Sequence, residues 1–183
     1  MKNRSTIADR MRRVCTVDAL AVALAGCASM PAATTPESLA PDANESLAMV
    51  VAAKGVQVYE CRAAKDAADK YAWTFVAPEA ELFDAAGRTI GRHGAGPNWQ
   101  ASDGSKVTGT VKARADAPIA GAIPWLLLRT KDAGPDGAFS KVTSIQRVNT
   151  VGGVMPAAGC ARDTAGTTAR VAYTADYRLF TAR

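Results

Sequence analysis

Short runs of alternating apolar and polar residues, cut off by glycine or proline, recur along most of this chain. They leave little room for anything but β-structure. Alternation at period two gives a strand one greasy face and one wet face. Val56-Gln57-Val58-Tyr59-Glu60-Cys61 has that form, and Tyr71, Trp73 and Phe75 share a face in a run closed by Pro78. Ala80–Phe83 reads as a short strand, and Asp84–Arg88 as a turn before Thr89-Ile90-Gly91. Ser105–Arg114 places Val107, Gly109, Val111 and Ala113 on one face. Ile123–Thr130 is a continuous apolar run and reads as a central strand, with Pro124 at its start, where a missing N–H does least harm. Phe139–Val148 alternates weakly, and Ala169–Phe180 carries Val171, Tyr173, Ala175 and Tyr177 in register. Only Asn44–Ala53 reads differently, as a short helix with Leu47, Val50 and Val51 on one side, broken by Gly55. About eight short strands without an internal repeat predict a mainly β protein, a single-domain β-sandwich or small β-barrel.

The N-terminus has another character. Lys2, Arg4, Arg10, Arg12 and Arg13 form a basic stretch, followed by a mostly apolar run from Val14 to Ala25. That run is shorter than the roughly 20 apolar residues a membrane-spanning helix needs, and the order suits a signal peptide. It ends in Leu24-Ala25-Gly26-Cys27, which reads as a bacterial lipobox. Residues 1–26 are then a lipoprotein signal peptide and Cys27 is the lipidation site. The partner this implies is a membrane, held through the lipid at Cys27. Asp18 interrupts the apolar run, so plain secretion with cleavage near Ala28 is the alternative. Residues 27–43 read as the lipidated cysteine and a flexible tether rich in Ala, Pro, Ser and Thr. Residues 44–183 are the β-rich domain. The expected location is extracytoplasmic, at the outer membrane facing the periplasm, because no Asp follows Cys27.

Removing the leader changes the charge argument. Five of the 22 basic and two of the 17 acidic residues lie in the first 26, so the net charge falls from +5 to +2. No basic patch with interleaved aromatics remains, and nucleic acid is excluded as a partner.

Four cysteines are present. Cys15 leaves with the leader and Cys27 takes the lipid. Cys61 and Cys160 remain as an even pair in an oxidising compartment, which predicts a disulfide. No CxxC motif or His/Cys cluster accompanies them, and His93 is the only histidine. No metal site and no cofactor is expected.

The densest local chemistry is His93-Gly94-Ala95-Gly96-Pro97-Asn98-Trp99, followed by Asp103-Gly104-Ser105. An imidazole, an indole and a carboxylate in one glycine-rich loop make a candidate ligand site. Trp99 could stack on a flat ligand, with His93 and Asp103 as polar contacts. The plainer reading is that Asp103-Gly104 is a turn and Trp99 caps a core. A Ser105–His93–Asp103 triad can be written down, but it lacks a nucleophile elbow. A second glycine-rich stretch, Asn149–Pro156, follows Arg147. Arg147 joins the candidate binding residues, with Glu60 or Asp103 as its expected carboxylate partner.

In these motifs the chain resembles a family known as domain of unknown function 3455. The resemblance begins at Gly55-Val56-Gln57-Val58-Tyr59-Glu60-Cys61. It continues through Trp73, Ala77-Pro78-Glu79-Ala80-Glu81-Leu82 and His93–Trp99 to Asp103-Gly104-Ser105. Further matches are Ile123-Pro124-Trp125-Leu126-Leu127 and Ile145-Gln146-Arg147-Val148-Asn149-Thr150. It closes with Gly152-Gly153, Pro156, Gly159-Cys160 and Ala175-Asp176-Tyr177. It covers roughly residues 48–180 and implies no settled activity. The sequence alone therefore leads to a lipid-anchored module of the cell envelope that binds a small ligand or an envelope protein, or is structural. An extracytoplasmic hydrolase of carbohydrate or envelope material, using His93 or Asp103, is the alternative. Catalytic residues are not assigned.

Overall fold

The computed structural model describes residues 34–65 and 67–183. The expected leader, residues 1–26, and Cys27 lie outside them. Eight strands run in chain order: β1 (Glu45–Ala64), β2 (Ala67–Phe83), β3 (Thr89–Gly94), β4 (Asn98–Ala101), β5 (Lys106–Ala115), β6 (Trp125–Asp132), β7 (Val142–Gly152) and β8 (Thr168–Ala182). Each pairs antiparallel with the next, and β8 returns to β1. Of the two architectures the sequence allowed, the chain adopts the closed barrel, in which every strand has two neighbours and no edge is left open.

The stretch expected as a helix at Asn44–Ala53 is instead the first part of β1. Leu47 pairs with Phe180 but Met49 pairs with Leu179, so one residue is bulged out between them. That bulge shifts the phase of the side chains and imitates helical spacing in the sequence.

One end of the barrel is plugged. Val51, Leu82, Ala101, Val107, Phe139 and Leu179 fill it with fully buried or nearly fully buried side chains. Phe139 arrives on the β6–β7 connection, whose placement depends on Asp103. The Asp103 carboxylate accepts from Ser105 N at 2.9 Å, Ser105 Oγ at 2.6 Å and Ala138 N at 2.8 Å. Ser105 Oγ in turn accepts from Phe139 N. Gly137 fits this knot because a Cβ there would lie 2.5 Å from Asp103 Oδ2.

β6 is buried on both faces, as its continuous apolar run predicts. Leu126 and Leu128 face the interior. Trp125 and Leu127 face outward, where they pack with Val148 and Leu39. Leu39 belongs to a short 3-10 turn, Glu37–Leu39, ahead of β1, and it has no exposed surface. Gln146 donates its amide to the Leu39 carbonyl, and Arg178 reaches Thr35. The tether expected over residues 27–43 is therefore docked onto the barrel in its described second half. The first half, before Thr34, lies outside the described residues.

Glu45 fixes the same corner. Its buried carboxylate takes Arg129, Thr143, Ser144 and the backbone N–H of Asp42. Arg129 and Lys112 also pair with Asp42. A buried carboxylate is tolerated when its lone pairs are filled in this way.

Candidate functional site

The other end of the barrel is hollow. A cavity of about 660 Å³ opens there, between the β3–β4, β5–β6 and β7–β8 connections. Its floor is aromatic. His93 stacks on Trp99 with ring centroids 4.2 Å apart and planes 14° from parallel, and Tyr177 stands edge-on to both. Its walls are largely apolar, among them Pro78, Val111, Ile123, Leu126 and Leu128. Its mouth is ringed by half-exposed Phe75, Val76, Val154 and Met155.

Two local features make this space. Gly109 stands where a Cβ would be 2.8 Å from the Trp99 ring and 3.1 Å from Leu128, so only glycine lets the indole lie flat across the interior. In β5, Val111 pairs with Leu128 and Ala113 with Leu127, which leaves Lys112 as a bulge. The face expected to carry Val107, Gly109, Val111 and Ala113 breaks at that point. Ala113 turns to the outer cluster, and Arg114 reaches the cavity mouth.

β1 shows a related inversion. Its alternation is right in period and opposite in sense, because Gln57 and Tyr59 face the cavity while Val56 and Val58 do not. The interior is thus partly polar, and much of that polarity is unpaired. Among the described residues, Gln57 Nε2, Trp99 Nε1 and the Tyr173 and Tyr177 hydroxyls are buried without a well-formed hydrogen bond. Tyr59 is satisfied, donating to the Gly153 carbonyl at 2.6 Å.

His93 is held by one bond. Its Nδ1 lies 2.7 Å from the Asn98 carbonyl, which can only accept, so Nδ1 carries the proton. Burial lowers its pKa to about 4; the Asn98 carbonyl opposes the shift and the Arg147 charge reinforces it. The ring is neutral at physiological pH and its Nε2 is left as an acceptor.

Arg147 faces the interior beside Tyr177, its cross-strand partner. It pairs with neither Glu60 nor Asp103. Nε and Nη2 both donate to the Pro124 carbonyl, at 3.1 and 2.9 Å. Glu60 is taken by Arg62, and Asp103 lies at the plugged end. The guanidinium charge is felt by Tyr59, Tyr173 and Tyr177, each of which burial drives up and Arg147 pulls partly back.

Of the four residues singled out in the sequence, the structure therefore brings together His93, Trp99 and Arg147 and separates Asp103. Residues 93–103 are not one loop. They form a hairpin whose two turns, 95–97 and 102–105, point to opposite ends of the barrel. Hydrogen bonds from Ser105 and Ala138 hold the Asp103 carboxyl below its usual range, as expected of a turn anchor. The Ser105–His93–Asp103 combination is not assembled. Gln57, Tyr59 and Tyr177, which sequence reasoning did not select, line the same cavity.

Cys61 and Cys160 are bonded, with Cα atoms 5.3 Å apart. The bridge ties β1 to the β7–β8 connection, which supplies Val154 and Met155 to the mouth. Trp73 Nε1 secures the same segment through the Ala158 carbonyl. Among the described residues no three His, Cys, Asp or Glu side chains converge on a point where a metal ion could sit.

A model of the family described as protein of unknown function DUF3455 matches residues 41–181. No curated protein matches the chain.

Proposed function

The chain belongs to the DUF3455 family, and from that premise we propose that it is a binding module of the cell envelope which holds a small, mostly apolar ligand inside the barrel. The hollow end carries this reading. A cavity of about 660 Å³ is within the size range of small-molecule sites, and it combines apolar walls with a few convergent polar groups. A structural module has no use for this space. Filling it with larger side chains would stabilise the barrel, and leaving buried Gln57, Trp99 and Tyr177 unpaired costs stability.

The lipobox reading supplies the location: cleavage before Cys27, lipidation of that residue, and a barrel tethered to the outer membrane on its periplasmic side. The disulfide is in keeping with an oxidising compartment.

The test is a titration of the oxidised protein with N-phenylnaphthylamine, an uncharged fluorophore that brightens in apolar surroundings. Saturable binding to one site is expected. It should weaken in Val111→Trp, which narrows the mouth at a half-exposed position. No saturable binding in the wild type would sink the ligand reading. The anchor is tested separately: Cys27→Ser should move the protein from the membrane fraction to the soluble one.

A further inference from the structure

The cavity is not only apolar. It holds a cation, Arg147, that forms no salt bridge among the described residues. Arg62, Arg88, Arg129 and Arg170 each meet a carboxylate. Arg147 meets none among the described residues, although a guanidinium stays protonated at any pH at which the protein is folded. Its two hydrogen bonds go to one neutral carbonyl.

A half-buried charge beside apolar walls is a ready partner for an anion. The groups around it are of matching kind. Tyr177, directly across the strand pair from Arg147, has no exposed surface, and its hydroxyl lies close to Tyr173 and Arg147 without a well-formed hydrogen bond among the described residues. The Gln57 amide nitrogen lines the same cavity and is also unpartnered. An amide N–H, a phenolic O–H and a guanidinium are donors that together suit an anionic oxygen pair. The rest of the lining, from Leu128 out to Val111 and Met155, is hydrocarbon.

Resting on the reading of the barrel as a ligand carrier, we propose that its ligand is an amphiphilic carboxylic acid, with the carboxylate on Arg147, Tyr177 and Gln57 and the apolar body extending toward the mouth. The acid enters as its anion, so binding needs no proton from His93. That ring stays neutral and serves as floor. Asp116 also lines the cavity, on the rim side with Arg114. Its charge disfavours an anion stopping at the mouth and favours one seated deeper.

The experiment is displacement of bound N-phenylnaphthylamine by decanoate and, separately, by decanol, in high salt so that exposed Arg114 is screened. Decanoate should compete about tenfold or more better than decanol, the worth of a charge-assisted contact. In Arg147→Met that preference should vanish while the fluorophore still binds. Arg147→Lys, which gives up the two bonds to the Pro124 carbonyl but keeps a charge at the same place, should retain most of the preference. Tyr177→Phe deletes a hydroxyl that makes no well-formed hydrogen bond among the described residues and should weaken decanoate severalfold while leaving decanol unchanged. Equal competition by decanoate and decanol in the wild type, with the fluorophore bound, overturns the carboxylate assignment and leaves the carrier reading standing. A wild-type protein that takes up neither fluorophore nor decanoate overturns both.

Discussion

His93 sets a pH dependence that can be calculated. It is the only histidine in the chain, so between pH 8 and pH 5 no other side chain has an ordinary pKa inside the window. Its native pKa is depressed to about 4 by burial, against about 6.5 in an unfolded chain. The unfolded state therefore binds the proton first as pH falls. Stability is complete above the unfolded value and is lost progressively down to the native one. By that linkage the loss is about 2 kcal/mol on going from pH 8 to pH 5, approaching about 3 kcal/mol once pH is below both values. The ring is nearly wholly buried, so solvent screening does not reduce the figure. Denaturant midpoints of the oxidised protein at pH 8, 7, 6 and 5 measure it. His93→Gln, which cannot protonate, should flatten the profile. A wild-type profile already flat from pH 8 to 5, or an imidazole proton resonance titrating near the ordinary histidine value in the folded protein, would refute the reasoning.

Other perturbations have equally definite outcomes. Replacing both Cys61 and Cys160 by Ser opens a 99-residue span and should cost about 2–5 kcal/mol in chemical denaturation. Gly109→Val forces a side chain into the Trp99 ring and should cost about 1–3 kcal/mol, with a shift in tryptophan emission that reports the displaced indole. Leu39→Ala empties a fully buried site outside the barrel and should cost about 2–5 kcal/mol, which a merely tethered residue would not. Asp103→Ala should lower thermal stability by freeing Ser105 and the segment that carries Phe139, and leave fluorophore affinity unchanged because it lies at the plugged end.

The period of the strands was legible, because alternation is a local property. Their phase was less so. The bulges near Ala48 and at Lys112 each shift the side chains by one residue, which made one strand segment look helical and misplaced Ala113. Closure was not legible, since pairing β1 with β8 joins residues more than a hundred positions apart. The candidate site divided along the same line. His93 and Trp99 are neighbours in one hairpin and could be seen together. Arg147 could be selected but not placed, because its neighbours Tyr177 and Gln57 come from distant strands. Asp103 was a turn residue by its dipeptide, and the structure keeps it one. The two cysteines needed only compartment logic to be paired.

The closing ladder has a consequence for how the molecule comes into being. From Glu45 opposite Ala182 to Glu60 opposite Thr168, the first strand is completed by the last. Until residues 168–182 are available, both flanks of the sheet are bare, and the most distant parts of the chain must find each other before the fold is sealed. Contacts of that range make folding slow, and the waiting intermediates are prone to pair with one another. A chain that folds this late depends on being kept apart from its siblings until the last strand is in place. Shortening the C-terminus by a single strand would convert a barrel without edges into a sheet with two.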